Sequence, residues 1–347
     1  MSENTLVSLT VALDVMGGDH GPLITLPAAK LAVETLPNLH LVLCGDEAII
    51  QSHLNTLQLS NHPQLSIQHA SETISMDEKP AIALRCKKDS SMRAALNLVR
   101  DDQAQACVSA GNTGALLAIA HFVLKMIPGV ERPALITHLP LSDGNSHVFM
   151  LDLGANVFCN SDTLFQFALM GSVMAEQVDG IKEPKVALLN MGEEDIKGSD
   201  HIKQTAALLT ASPYINYAGF IEGNDIFSGK ADVIVCDGFV GNVALKTCEG
   251  VAKMVMDKVK KIVNESPFTR FLGVLLNPTL KKILKRLNPD QYNGASLLGL
   301  RGIVVKSHGN ANSTAFYNAI LEAVKEVERQ VPEKIKNKVE LGLIKRS

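Results

Sequence analysis

One repeated pattern limits the folds that this chain of 347 residues can adopt. A short run rich in Val, Leu and Ile ends in a turn of Gly, Asp, Asn or Ser, and a helical pattern follows. The apolar runs lie at residues 9–16, 39–44, 106–108, 148–153, 186–189 and 233–236. Such runs are typical of strands buried on both faces, and their alternation with helices predicts βαβ units. We therefore predict one α/β domain over residues 1–347, with a doubly wound, mostly parallel sheet.

Several segments between the predicted strands show apolar residues at helical spacing. A helix is expected to begin at Pro22, and longer patterns cover residues 80–100, 113–126, 200–209, 244–263 and 313–330. In the 80–100 pattern, Ser90, Ser91 and Arg93 are expected on a polar face. Residues 331–347 are expected to form a frayed, charged tail.

The turns after the predicted strands are the candidate site, because ligands bind outside the carboxyl ends of parallel strands. We expect these turns to share one edge of the sheet. The first carries Asp14, Gly17 and Gly18, and paired glycines before a helix let the backbone approach an anion. The alternative is a tight turn in which Asp19 caps the helix. No GxxxxGK[ST] or GxGxxG motif occurs, which disfavours an NTPase or a nicotinamide-dependent dehydrogenase.

A second turn is rich in donors for a phosphate or an oxyanion. Its candidate residues are Ser109, Gly111, Asn112, Thr113 and Gly114. The alternative is an N-cap for the helix that follows, since Ser and Thr are good caps.

Three later turns add single candidates. Lys197 lies among three acids and is a candidate point charge for phosphate; the alternative is a solvated charged loop. Asn242 is a candidate amide donor to a carbonyl oxygen. His308 is a secondary candidate, because a lone histidine is more often structural. His138, His147 and His201 have no Asp, Glu or Cys partner at metal-ligand spacing, so no metal site is predicted.

Residues 267–287 combine an apolar face with a basic rim. Pro278 divides the segment into two short amphipathic helices. We expect its apolar face to carry the membrane-contacting residues Phe271, Leu272, Leu275, Leu276 and Leu284. The profile is typical of an interfacial membrane segment, and the alternative is a hairpin buried in a dimer interface. The basic rim suits either anionic lipid or an acidic protein partner.

Charge and cysteine content restrict the partners and the compartment. The formal net charge is −3, so nucleic acid is not an expected partner. The six cysteines form no CxxC pair, which favours free thiols in a reducing cytosol. The first residues lack signal-peptide features, and no long apolar stretch predicts a membrane span. We expect a cytoplasmic protein.

Taken in order, the motifs resemble one known family. They read LDVMGGDHGP, VSAGNTGALL, ERPA, LDLGAN, NMGEEDIKG, FIEGNDI, VCDGFVGNVALK, GASLLGLRG and SHGNA. This series resembles the bacterial PlsX family, the acyl-[acyl-carrier-protein]:phosphate acyltransferases, over nearly the whole chain. One position departs from the pattern, because Val15 stands where the family has alanine.

The resemblance implies an acyltransferase, and no cofactor is predicted. It would move a fatty acyl group from acyl carrier protein to inorganic phosphate, giving acyl phosphate for phospholipid synthesis. It further implies an isocitrate/isopropylmalate dehydrogenase-like, phosphotransacetylase-like fold and a homodimer. Members contact the inner face of the cell membrane peripherally and supply a downstream glycerol-3-phosphate acyltransferase. Lys197 and Asn242 match the family's active-site residues.

Three other functions remain as alternatives at this point. They are a nicotinamide-dependent dehydrogenase, a phosphotransacetylase that uses acetyl-CoA, and a non-catalytic adaptor on a lipid surface. The apolar hairpin favours a long-chain substrate near a membrane over acetyl-CoA.

Overall fold

A computed structural model describes residues 9–143, 146–194, 196–265 and 293–344. The strands are β1 (Leu9–Asp14), β2 (Leu39–Gly45), β3 (Leu65–His69), β4 (Ala106–Ser109), β5 (Ala134–Pro140), β6 (His147–Leu151), β7 (Lys185–Leu189), β8 (Asn216–Ile221), β9 (Val233–Val235), β10 (Ala295–Leu298) and β11 (Ile303–Lys306). The helices are α1 (Pro22–Thr35), α2 (Glu47–Thr56), α3 (Pro80–Cys86), α4 (Ser91–Arg100), α5 (Thr113–Leu124), α6 (Ser161–Val178), α7 (Asp200–Ala211), α8 (Gly238–Asn264), α9 (Ser313–Glu328) and α10 (Val331–Ile344).

All these strands form one sheet of 11 strands, in the order β3-β2-β1-β4-β11-β10-β5-β6-β9-β7-β8. Helices cover both faces of the sheet, and neighbouring residues of one strand therefore pack into different cores. On β1, Val11 packs with α1 and α9, whereas Ala12 packs with α4 and α5. Both side chains are fully buried. The predicted doubly wound α/β fold is confirmed.

The two parallel halves of the sheet run in opposite directions. β3, β2, β1, β4 and β11 are mutually parallel, as are β6, β9, β7 and β8. Between them, β10 and β5 pair antiparallel with each other and with their outer neighbours β11 and β6. Three successive reversals turn the second half over. The expectation that all strand-end turns share one edge is therefore wrong: turns after β1, β4 and β11 lie opposite those after β6, β7 and β9.

The single helix expected over residues 80–100 is two helices. α3 ends at Cys86, and α4 begins after Ser90, whose hydroxyl accepts a hydrogen bond from the Arg93 N–H. Ser90 and Ser91 are buried rather than on an exposed polar face. The break lets the start of α4 point inward toward the end of β1.

The expected charged tail is the helix α10. Val331, Ile335 and Val339 recur every four residues, and all three are buried against the core beside α6. Lys338 forms an ion pair with Glu176 of α6. The i, i+4 apolar stripe was present in the sequence but is masked there by the surrounding charges.

Glu326 of α9 gives a pH-dependent prediction for stability. Burial, together with the nearby Glu322, raises its pKa from 4.5 to about 8, and it contacts the Ser296 hydroxyl. The folded protein thus holds a proton that the unfolded chain loses between these values, so stability falls as pH rises through this window. Glu326→Gln removes that loss. We expect about 1–3 kcal/mol of added stability at about pH 9 and little change at about pH 4.

Thermal unfolding at the two pH values measures the difference. Glu328→Gln is the control, because it removes a carboxylate from the same helix, α9, at an exposed position. Equal effects of the two substitutions would contradict the assignment of the titration to Glu326.

Candidate active site

At the first edge of the sheet, the turns after β1 and β4 meet around the buried carboxylate of Asp14. The hydroxyls of Ser91 and Ser109 each donate to one of its oxygens at 2.6 Å. The Gly111 N–H donates in turn to Ser109 Oγ at 3.0 Å. Burial raises the pKa of Asp14, and the two serine hydrogen bonds partly oppose that rise.

Gly17 and Gly18 are required by the closeness of these turns. A Cβ on Gly17 would lie 2.4 Å from Asp14 Oδ2 and 2.9 Å from the Gly111 nitrogen. Gly18 has φ +89°, and a Cβ there would lie 3.0 Å from the Gly309 carbonyl oxygen. The turns after β1, β4 and β11 thus pack on one another without side chains between them.

The residues predicted as donors in the second turn, after β4, differ in what they contact. The Asn112 side chain caps α5 by accepting from the Ala115 N–H, and its amide donates to the carbonyls of Met76 and Glu78. Gly114 packs against Pro80. Thr113 is the member of this turn that lines the large cavity described below. As phosphate ligands, these residues remain predictions.

At the opposite edge, Asp152 organises the turn after β6. Its carboxylate accepts backbone N–H groups from Leu135, Gly154, Ala155 and Asn156 at 2.7–3.2 Å. Burial raises its pKa, and these hydrogen bonds oppose the rise. The resulting loop is tightly wound and presents Gly154 toward α8.

The start of α8 is pressed onto this loop, which positions Asn242. Asp237 caps the helix by accepting from the Val240 N–H at 2.9 Å. A Cβ on Gly241 would lie only 1.9 Å from the Asp152 carbonyl oxygen, so glycine is needed there. The Asn242 side chain lies 3.5–3.7 Å from the place where a Gly154 Cβ would be.

Lys197 lies in the turn after β7, beside the turn that precedes α8. Its Nζ is 2.8 Å from Glu194 Oε2, and that hydrogen bond is the main cause that raises its pKa. Asn190 holds the turn by donating to the Gly192 and Lys197 carbonyls. Because β7 and β9 are neighbouring parallel strands, Lys197 and Asn242 belong to the same edge of the sheet.

A cavity of about 980 Å³ lies between β5, α8 and the segment after β11. Its apolar wall includes Leu135, Leu139, Leu141, Leu153, Phe227, Leu245, Val251, Ala252 and Val255. Its polar lining includes Thr113, Thr137, Asn242, Lys246, Glu249, Asn293, Lys306, Ser307 and His308. The His308 Nε2 is 3.4 Å from Glu249 Oε1. Thr113, Asn242 and His308 are thus the predicted site residues that line this cavity, and Lys197 is not among its described lining residues.

Sequence reasoning missed the strand β5 and two lysines of the lining, Lys246 and Lys306. Lys306 stands at the end of an apolar strand and directly before the SHGN turn, a position that offered a signal for a buried cation. Nothing local marked Lys246, which lies on a helix with many other lysines.

The predicted membrane-contacting residues, Phe271, Leu272, Leu275, Leu276 and Leu284, lie outside the described residues. Among the helices that the structure does describe, none is both long and apolar enough to cross a bilayer. In the same described ranges, no group of three or more His, Cys, Asp or Glu side chains is arranged to hold a metal ion.

Known proteins are similar to this chain over nearly its whole length. A family model described as "Fatty acid synthesis protein" matches residues 9–334. A "Phosphate acyltransferase" of Colwellia psychrerythraea is 67% identical over 347 residues, 99% of each chain. One of Shewanella woodyi is 53% identical and covers 98% of this chain and 99% of its own length.

Solved structures support the fold independently of sequence. A phosphotransacetylase from Streptococcus pyogenes superposes with a TM-score of 0.58 at 15% identity, over 92% of this chain and 94% of its own. A branched-chain phosphotransacylase from Enterococcus faecalis gives 0.59 at 17% identity, over 92% and 99%. The predicted phosphotransacetylase-like architecture is confirmed. On the family match and the two full-length relatives, the chain belongs to the PlsX family of phosphate acyltransferases.

Proposed function

We propose that this protein transfers a fatty acyl group from acyl carrier protein to inorganic phosphate, giving acyl phosphate for phospholipid synthesis. The observation that carries the proposal is one cavity that joins a long apolar wall to a polar end with an amide and two lysines. An acyl chain needs the first, and a phosphate attacking a carbonyl needs the second.

The apolar wall has the length that a membrane-lipid acyl chain requires. The fourteen residues from Asn242 to Val255 on α8, which include most of the cavity lining from this helix, span about 20 Å at the helical rise. One leaflet of a bilayer hydrocarbon core is about 15 Å thick, which is the reach of one such chain. Leu135, Leu139 and Leu141 follow the same course along β5.

The reaction itself is a direct displacement. An oxygen of hydrogen phosphate attacks the thioester carbonyl carbon, a C–O bond forms, and the C–S bond breaks. The sulfur leaves with the electron pair and receives the proton that hydrogen phosphate gives up. Thiolate is a good leaving group, so the protein mainly positions the reactants and stabilises the oxyanion, without a covalent intermediate.

Two residues are assigned to that task. The Asn242 amide lines the cavity and donates to the developing oxyanion. Lys197 lies in the adjacent turn, and its ammonium group contacts Glu194. In the reaction this group leaves Glu194 and binds the phosphate or the carbonyl oxygen. The turns that carry Asp14, Gly17, Gly18, Ser109, Gly111, Asn112, Thr113, Gly114 and His308 are proposed to build the phosphate-side wall.

A homodimer and peripheral membrane contact extend the proposal. α8 leaves Val251, Met254 and Ile262 exposed, which suits a partner subunit covering that helix. The described part of α8 ends just before residues 267–287, the proposed membrane segment at the inner face of the membrane. A downstream glycerol-3-phosphate acyltransferase would receive the acyl phosphate there.

Thiol release tests the function directly. Purified protein is mixed with acyl-[acyl-carrier-protein], and free thiol is measured with and without phosphate across a series of chain lengths. We expect phosphate-dependent release with long chains. Release without phosphate dependence would contradict the proposal, and a preference for acetyl-CoA would favour the phosphotransacetylase alternative.

Changing the width of the cavity should shift the preferred chain length. Ala252→Phe fills space along the apolar wall, so we expect a shift toward shorter chains, by about tenfold per two or three methylenes lost. Leu245→Ala widens the wall and is expected to favour longer chains. Ratios of kcat/KM between chain lengths measure the shift, and an equal loss for every chain length would contradict the assignment of this wall.

A further inference from the structure

The ammonium group of Lys306 is buried where β11 meets the cavity. The residue is 7% exposed and lines the cavity next to Ser307 and His308. Its Nζ donates to the Ala110 carbonyl oxygen at 3.2 Å and also contacts the Ser307 carbonyl. Both partners are neutral, so they orient the charge without neutralising it.

Lys306 forms no ion pair with a carboxylate of the described residues within 4.0 Å. Asp14 and Asp19 act on it only through space, and Asp14 is already held by the hydroxyls of Ser91 and Ser109. Burial is the main cause that lowers the pKa of Lys306 to about 8. A buried cation without a direct counter-charge is costly, which favours an anion as its partner.

A second cation faces the same space from α8. Lys246 lines the cavity, and its charge is close enough to Lys306 to lower the pKa of that group. Its own Nζ is 2.8 Å from Glu249 Oε2, and its side chain is half exposed. Two lysines converging from β11 and α8 make a place for a doubly charged anion.

The position of Lys246 on α8 connects this place to the reaction. Asn242 and Lys246 are four residues apart, so their side chains lie on one face of the helix, about 6 Å apart along its axis. A phosphate held at Lys246 and Lys306 would therefore stand one helical turn from the proposed oxyanion donor.

We propose that Lys306 and Lys246 together form the seat of a phosphate group inside the cavity, beside Asn242. This inference rests on the proposed function and adds the residues that supply the positive charge. The phosphate group belongs either to inorganic phosphate or to the phosphodiester of the acyl carrier's prosthetic arm. Inorganic phosphate is favoured, because the seat lies one helical turn from Asn242, where the attacking phosphate must stand. Lys306 and Lys246 are binding and positioning residues here, and no proton transfer is assigned to them.

Steady-state kinetics with inorganic phosphate and acyl-[acyl-carrier-protein] test the seat. Lys306→Met and Lys246→Met remove one charge each at similar length, and Lys306→Arg retains the charge. We expect the KM for phosphate to rise about tenfold or more in each methionine variant, with a smaller change in kcat. In the arginine variant, the KM for phosphate should rise less. Lys253→Met, at an exposed α8 position outside the cavity lining, is the matched control and should leave KM unchanged.

The change in melting temperature caused by phosphate provides a readout that needs no turnover. Inorganic phosphate should raise the melting temperature of the wild type more than sulfate or chloride at equal ionic strength, and Lys246→Met should reduce that rise. Because Lys246 is half exposed, this variant keeps the test valid if Lys306→Met fails to fold.

The outcomes separate the seat from the function. A rise in the KM for phosphate alone supports inorganic phosphate, and a rise in the KM for the acyl carrier alone assigns the seat to the phosphodiester. Unchanged values of both, or an equal effect of Lys253→Met, would overturn the proposal. Absent thiol release by wild-type protein, with the phosphate-induced melting shift intact, would refute the proposed function while leaving the anion seat standing.

Discussion

Asn242→Ala is expected to lower kcat by about 10²–10³-fold, which is the usual effect of removing one oxyanion donor. The side chain is exposed to the cavity rather than packed in a core, so the fold should be retained. KM for phosphate should change little, because the amide is assigned to the carbonyl oxygen. Stopped assays of thiol release, together with thermal unfolding, measure both effects.

Gln204→Ala is the matched control for this substitution. Gln204 carries an amide on the exposed side of α7, away from the cavity lining, and its removal should leave kcat unchanged. Lys197→Ala is expected to lower kcat similarly, since it serves the same step from the neighbouring turn. Wild-type kcat in the Asn242 variant would refute the assignment of the oxyanion donor.

Gly241→Ala is expected to have the largest effect on stability of any single methyl addition near the site. The added Cβ would lie 1.9 Å from the Asp152 carbonyl oxygen and 2.9 Å from Cys236 Sγ. The Asp152 carbonyl cannot move freely, because the carboxylate of the same residue is held by several backbone N–H groups, and Cys236 is buried. Relieving the clash must push the start of α8 outward, at a cost of about 3 kcal/mol or more.

The same displacement should also lower activity, because Asn242 follows Gly241 directly. Gly250→Ala, on the same helix with nothing within 4 Å of the new methyl group, is the control. It should stabilise the protein by about 0.5–1 kcal/mol, as alanine does for glycine in a helix. Chemical denaturation compares the two variants, and a neutral Gly241→Ala would contradict the close approach of α8 to the Asp152 loop.

Asn242→Ala and Gly241→Ala test two different requirements of the proposed site. Asn242 carries the chemistry proposed at the cavity, whereas Gly241 lets the helix come close enough to deliver that amide. If Gly241→Ala folds but is inactive, and Asn242→Ala folds normally and is inactive, position and chemistry are both confirmed as requirements.

Several features were predictable because they depend on neighbours in the chain. The apolar run that forms β1 and the presence of a cap in the turn before α5 follow from local composition and turn chemistry, whereas α8 begins at Gly238, earlier than the predicted residue 244. The break between α3 and α4 was missed because helical periodicity continues through it, whereas Ser91 is drawn inward by a distant partner, Asp14.

By itself, the sequence determined that buried strands alternate with helices and that glycine-rich turns follow the strands, because both depend on residues next to each other. Only the tertiary structure decided that the second half of the sheet is reversed, since this depends on pairing of β10 and β5 with strands far away in the chain. That reversal places α8 along β5 and closes the cavity in which Lys306 is buried. Burial of a charge is a property of the whole fold, because the atoms that exclude water come from segments that no local pattern connects.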